Sequence, residues 1–231
     1  METSDIRVFS VHKDLVISCE LEIKGSNEKV DLIWEDIKKK KNLYDGTFFN
    51  VHSITETKIH GQFVPYRYFV AINEDKTLAK ELNLLPMGIC CITQWQDLIL
   101  VGKRSVKVYF YPGLYEFVPS GSIDKGCKEN TFVDYKKQAR IEFYEETTLD
   151  PSNIASITPF VILQSKTEPF CDLCLHIKLI AEYKPHFTDC TEEYDELKWI
   201  NIKEIDAFLY DHQNNLVPKQ GIFWGKFKTQ I

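Results

Sequence analysis

The stretch from Gln138 to Leu149 constrains this chain most. Glu142, Glu145 and Glu146 fall there at i, i+3 and i+4. The residues around them form helices well, and Pro151 ends any helix just beyond Asp150. At 3.6 residues per turn the three carboxylates share one face. Ala139, Phe143 and Leu149 fall on the other side, which can meet a core. Like charges this close repel by about a few tenths of a kcal/mol per pair in an isolated helix. A hard divalent cation compensates them, because Mg²⁺ is bound through oxygen. Taken alone, three such glutamates also read as a solvated acidic face.

What precedes the helix narrows the choice. Residues 116–124 form a short apolar strand that runs into Pro119-Ser120-Gly121. A strand, a tight glycine turn and an acidic helix resemble the Nudix box, G-x5-E-x7-R-E-U-x-E-E-x-G-U, where U is aliphatic. Gly121 takes the opening glycine, Glu142, Glu145 and Glu146 the helix glutamates, and Leu149 the last aliphatic position. Cys127 stands where the first glutamate belongs, with Glu129 close by. The spacer is lengthened to residues 128–140. Ile141 replaces the arginine, with Arg140 one place early, and Thr148 replaces the late glycine.

Further matches resemble the uridine diphosphate glucose pyrophosphatase branch of that superfamily. They are Leu32-Ile33-Trp34-Glu35, then Leu43-Tyr44-Asp45-Gly46-Thr47-Phe48-Phe49 and His52-Ser53. Gly88 to Leu100 before Lys103-Arg104-Ser105, and Gly113 before the turn, extend the likeness over roughly 30–225. That branch also lengthens the spacer and loses the first glutamate and late glycine. The resemblance implies a Nudix-type α/β/α sandwich with a mixed sheet: a hydrolase domain over 61–231 and an N-terminal strand-helix extension over 1–60 packed on it. It implies Mg²⁺ or Mn²⁺ held by Glu142, Glu145, Glu146 and the Ser120 carbonyl. Glu142 or Glu145 is the candidate general base, and an acid of the loop Glu192, Glu193, Asp195, Glu196 is another. Lys103, Arg104 and Gly121 are the candidate substrate-binding residues. The implied reaction is Mg²⁺-dependent hydrolysis of a nucleotide sugar, UDP-glucose or UDP-galactose, to UMP and sugar 1-phosphate.

The missing box arginine matters, since it holds a glutamate in place. Arg140 points about 100° away on a helix and cannot substitute directly; Lys136 or Lys137, a turn earlier, are the remaining candidates. Ile141, Cys127 and Thr148 together motivate a second reading, a Nudix-fold nucleotide-sugar binding module with little turnover. A third is an interaction scaffold with an incidental acidic helix. Tyr109, Tyr111, Phe117 and Trp95 are candidates to stack on a base or to pack the core.

Elsewhere, period-2 patterning predicts strands over 6–11 and 15–23 with Lys13-Asp14 as their turn. A helix over 27–41 carries the stripe Val30, Ile33, Trp34, Ile37, capped by Ser26 or Asn27. Lys38 to Lys41 complement the macrodipole at its end. Strands are expected after Gly46 and over 63–72, and a helix over 76–82. A hairpin spans 87–102, and long strands cover 154–164 and 171–183. A strand at 197–200 and helices at 202–210, capped by Asn201, and 217–227 follow. Strands interleaved with long helices indicate an α/β fold.

Composition closes off other classes. A chain of 231 residues can bury a full core without staples. Its net charge of −6 argues against a general nucleic-acid or membrane-surface binder. Seven cysteines, an odd number, and a polar start point to a reduced, cytoplasmic protein. Cys171-Asp172-Leu173-Cys174 spells C-x-x-C, but i and i+3 in a strand point to opposite faces, so buried free thiols are expected.

Overall fold

The computed structural model describes residues 5–20, 26–40, 45–182 and 191–230. The expectations for 21–23, Lys41, Leu43, Tyr44 and Tyr183 lie outside the described residues. In chain order the elements are β1 (Ile6–Ser10), β2 (Val16–Cys19), α1 (Glu28–Lys40), β3 (Thr47–Ile54), β4 (Lys58–Pro65), α2 (Tyr66–Glu74) and α3 (Thr77–Glu81). Then come β5 (Pro86–Trp95), β6 (Leu98–Arg104), β7 (Tyr115–Phe117), β8 (Ser120–Ser122), β9 (Lys128–Glu129), β10 (Phe132–Val133) and α4 (Tyr135–Thr147). The chain continues with β11 (Ile154–Ser165), β12 (Cys171–Leu179), β13 (Tyr194–Asn201), α5 (Ile205–Asp211) and α6 (Gln220–Phe227).

The strands form one mixed sheet organised on β5. That strand runs parallel to β12 from Met87 to Gln94. On its other edge it pairs antiparallel with β3 at Pro86–Met87, with β8 at Gly88–Cys90 and with β6 at Gln94–Trp95. β6 in turn carries β13 and β7. Period-2 alternation along β12 feeds two cores. Cys171, Leu173, Leu175 and Ile177 pack with Ala139 and Phe143 of α4. Cys174 points the other way, into a core with Phe223, Trp224 and Phe227 of α6. The sheet is therefore sandwiched between helices, an α/β/α arrangement. A third cluster packs Val30 of α1 and Tyr68, Ala71 and Ile72 of α2 on Phe48 and Val64.

Asn27 caps α1 as expected, its Oδ1 accepting from Val30 N–H at 3.2 Å. Three expectations fail. β1 and β2 do not form a hairpin: β1 pairs with β11, whereas β2 pairs parallel with β4. Lys13 and Asp14 turn the chain from one part of the sheet to another. The run 63–72 is not one strand. It ends at Pro65 and becomes α2, whose entry is held by Asp45: Oδ1 accepts from Arg67 N–H at 2.9 Å and Oδ2 pairs with the guanidinium at 3.0 Å. A short apolar run cannot tell strand from buried helix by periodicity alone. Asn201 also caps no helix; it accepts from Lys203 N–H in a turn, and α5 starts at Ile205. Among the described residues, no helix is long and apolar enough to cross a membrane.

Candidate active site

α4 begins earlier than the acidic spacing requires, because Asp134 caps it. The Asp134 carboxylate accepts from the N–H groups of Lys136 and Lys137 at 3.0 and 2.9 Å, satisfying donors the first turn leaves open. The helix ends at Thr148, which takes the left-handed conformation (φ +61°). That is a backbone state glycine adopts freely, and here a β-branched residue holds it.

α4 presents its glutamates to the bend between β7 and β8, which contains a cis Val118–Pro119 bond. Gly121 abuts Glu142 so closely that a Cβ would lie 2.2 Å from Glu142 Oε1. A larger residue there would push the Glu142 carboxylate aside. Glu146 is fully buried, and both its oxygens lie 3.2 Å from the Ser120 N–H that donates to them. The Tyr194 hydroxyl stands 3.0 Å from Glu146 Oε2 and 2.9 Å from Oε1 of a further buried acid, Glu116. Arg104, from the end of β6, is paired with Glu116. Glu193 is half-buried nearby and, with Glu116 and Glu142, lines a cleft of about 370 Å³.

The electrostatics follow from burial and crowding. Burial, then the charges of Glu145, Glu193 and Asp124, push Glu142 up to about 8, although a hydrogen bond from Gln138 Nε2 at 2.8 Å works against the shift. Glu146 is raised well above the usual carboxylate range by burial and by Glu116, Glu142 and Glu193. Glu193 is raised by burial, with Arg104 opposing. Burial opposes the Arg104 charge, but Glu116, Tyr194 and Glu146 outweigh it and keep the guanidinium charged. Four carboxylates thus converge on one cation. The donor set is entirely oxygen, which suits Mg²⁺ or Mn²⁺, and a divalent charge would relieve the crowding that favours protonation.

The structure brings Glu142, Glu146, Ser120, Gly121 and Arg104 together. Glu145 lies exposed one turn along and reaches the group through its field on Glu142. Lys103 is not in the cleft. It alternates to the other face of β6, with Nζ 5.8 Å from the Tyr115 ring centre. Neither helix lysine replaces the box arginine: Lys137 Nζ donates to the Gly126 carbonyl at 3.0 Å, and Lys136 lies over Tyr135. Arg140 donates to the Pro151 carbonyl at 2.9 Å. The cation of the cluster comes from β6 instead. Cys127 is buried and raised to about 11, mainly by burial. Its Sγ lies 3.1 Å from Gln138 Oε1, which also accepts from Asp124 N–H. Of the four aromatics singled out, Tyr111 lines the cleft. Phe117 stacks on Trp224 in the core, Trp95 packs edge-on to Trp199, and the Tyr109 hydroxyl donates to Glu74.

Three residues carry no advance signal strong enough to select them. Glu116 is an acid inside an apolar strand, and that mismatch is its trace in the sequence. Tyr194 hides among acids. Lys219 pairs with Asp172 across the cleft wall, its Nζ 4.0 Å from the Phe170 ring centre.

No family profile matches the sequence, and no curated protein matches it. Solved structures do match in shape. A candidate Nudix hydrolase superposes with a TM-score of 0.51 at 12% identity, covering 85% of this chain and 96% of that one. A bifunctional NMN adenylyltransferase/ADP ribose pyrophosphatase of Francisella tularensis, complexed with AMP and manganese, gives 0.46 at 16%, covering 67% of this chain and 46% of that one. An Ap4A hydrolase of C. elegans gives 0.43 at 16%, covering 62% and 95%. The fold is that of Nudix hydrolases.

Proposed function

We propose that the protein is a Mg²⁺-dependent hydrolase of a nucleoside diphosphate linked to a second group, with UDP-glucose or UDP-galactose cleaved to UMP and sugar 1-phosphate. The observation that carries the reading is the excess of buried and half-buried carboxylate at the cleft: Glu116, Glu142, Glu146 and Glu193 crowd one cation, Arg104. Lys219, which also lines the cleft, is already paired with Asp172. Glu142, Glu146 and the Ser120 carbonyl would hold the metal, with Glu145 completing the set. The bound cation supplies charge neutralisation on the diphosphate and a more acidic water. Glu142, raised toward neutrality, is the candidate base, and Glu193 is the alternative from the acidic loop; each must come within reach of that water. Arg104 sits where it can also meet substrate phosphate. The nucleotide-sugar preference rests on the sequence resemblance. Residues 1–60 are read as an extension on the hydrolase domain of 61–231, and the buried, free cysteines fit a reducing cytoplasm.

The test is UMP release from UDP-glucose and UDP-galactose by purified protein with Mg²⁺. Glu146→Gln should cut the rate by at least the roughly 100-fold that loss of a metal's outer-shell partner reaches. One feature favours a binding module with little turnover: no helix cation clamps a glutamate, since Arg140, Lys136 and Lys137 are engaged elsewhere. Equal, negligible release by wild type and Glu146→Gln across a panel of nucleotide sugars, ADP-ribose and dinucleotides would select that reading.

A further inference from the structure

Away from the cleft, three neighbouring strands bring two histidines and a glutamate to one place. β2 runs parallel to β4 with Ser18 opposite His60. β4 runs antiparallel to β3 with Ser53 opposite His60 and Val51 opposite Gly61. His52 is the extra residue of the resulting bulge, and a bulge re-aims the side chain it carries. Glu20 follows the last residue of β2. The ligating atoms of Glu20, His52 and His60 all lie within 4.8 Å of one another. The two rings stand edge to face with centres 6.1 Å apart. None of the three lines the cleft.

The hydrogen bonds around His60 suit a ligand. Its Nε2 faces Glu20 Oε1 at 2.9 Å, and its Nδ1 faces the Ser18 hydroxyl at 3.0 Å. That hydroxyl also lies 3.4 Å from the Ile59 carbonyl. Ser18 can therefore accept from His60 Nδ1–H while its own O–H donates to the Ile59 carbonyl. In that tautomer the Nε2 lone pair faces Glu20 Oε1 with no hydrogen between them, a contact of two acceptors that a cation would bridge, and the ring is oriented as metal-bound histidines require. A simple His60–Glu20 pair accounts for two of the side chains but not for the third beside them.

We propose that Glu20, His52 and His60 form a zinc site with a fourth, water-filled position. Two imidazole nitrogens and one carboxylate oxygen are a zinc ligand set, whereas Mg²⁺ selects oxygen. One carboxylate and two neutral rings leave a net positive complex, so the site is not driven by the acidic crowding of the cleft. Zinc would pin the end of β2 to the β3–β4 pair.

The test uses the full chain stripped with chelator, loaded with Co²⁺ for its visible absorption and then titrated with Zn²⁺ against a chromophoric competitor. Wild type and Glu146→Gln should show the intense band of four-coordinate Co²⁺ and bind one tight Zn²⁺. His52→Ala and Glu20→Gln, both at exposed positions, should lose the band and bind Zn²⁺ at least about 10-fold more weakly, while Ser18→Ala should weaken it by about 10–100-fold. Zn²⁺ should raise the melting temperature of wild type but not of His52→Ala, whose Mg²⁺-dependent hydrolysis should match wild type. Unchanged Zn²⁺ affinity in both His52→Ala and Glu20→Gln, or no band in wild type, overturns the site. Loss of the tight Zn²⁺ in Glu146→Gln would assign it to the cleft instead. The hydrolase reading stands or falls separately, because it is read by UMP release.

Discussion

Two groups of charge share the cleft, and they are balanced differently. Asp172 and Lys219 form a one-to-one pair: burial opposes the lysine's charge, but its partner holds it above the ordinary lysine range. Glu116, Glu142, Glu146 and Glu193 have one cation, Arg104, and three of them, Glu142, Glu146 and Glu193, are driven toward protonation. A satisfied pair is compatible with a structural role. A group with surplus negative charge is stable only with protons or with a metal, and that difference separates the part of the cleft proposed to hold the metal from its wall.

The sharpest way to break the contrast is Arg104→Met. It strands Glu116, whose side chain is 4% exposed, and should cost about 3–5 kcal/mol in urea unfolding, the range for removing one partner of a buried pair. Part of that loss should return with Mg²⁺. Lys219→Met should cost less, about 3 kcal/mol, because Asp172 keeps 19% of its side chain in water. It should leave the Mg²⁺-induced rise in melting temperature at the wild-type value. Equal Mg²⁺ rescue of both variants would erase the distinction.

A smaller effect is set by Glu142. Its folded pKa, about 8, lies above its ordinary value of 4.5. Below about 4.5 both folded and unfolded chains hold the proton, and stability is full. Between the two values only the folded chain holds it, so stability falls as pH rises toward 8. Metal-free protein should show this decline in melting temperature, and Glu142→Gln should make it shallower, Glu146 and Glu193 contributing the rest. A wild-type profile that is already flat would mean the carboxylate is not crowded.

The sequence reveals α4 because its signals are local: carboxylate spacing, Pro151 and an apolar side facing the core. Gly121 is legible for the same reason, being a fixed distance from Pro119. The pairing of β1 with β11, across most of the chain, leaves no mark in the periodicity of 6–11. The run 63–72 reads as a strand because its apolar residues are dense, while the Asp45 side chain that holds the first turn of α2 comes from before β3. Arg104 is legible only as a basic residue after a strand. Its role depends on Glu116 and Tyr194, which the β6–β7 and β6–β13 pairings bring to it. Lys103, its neighbour, looks identical in sequence and faces the other way.

The Tyr194 hydroxyl has one hydrogen and two carboxylate neighbours, Glu116 and Glu146, both at bonding distance. Without a metal, both contacts can be hydrogen bonds only if one of the acids contributes a hydrogen of its own. Cation capture must then expel it. The heat of Mg²⁺ binding should accordingly differ between two buffers of unlike ionisation enthalpy, by an amount that reports the H⁺ released per ion bound, Glu142 adding its own below about pH 8. The phenol at the start of β13 thus acts as a gauge, converting occupancy of the acidic group into acid delivered to the solvent.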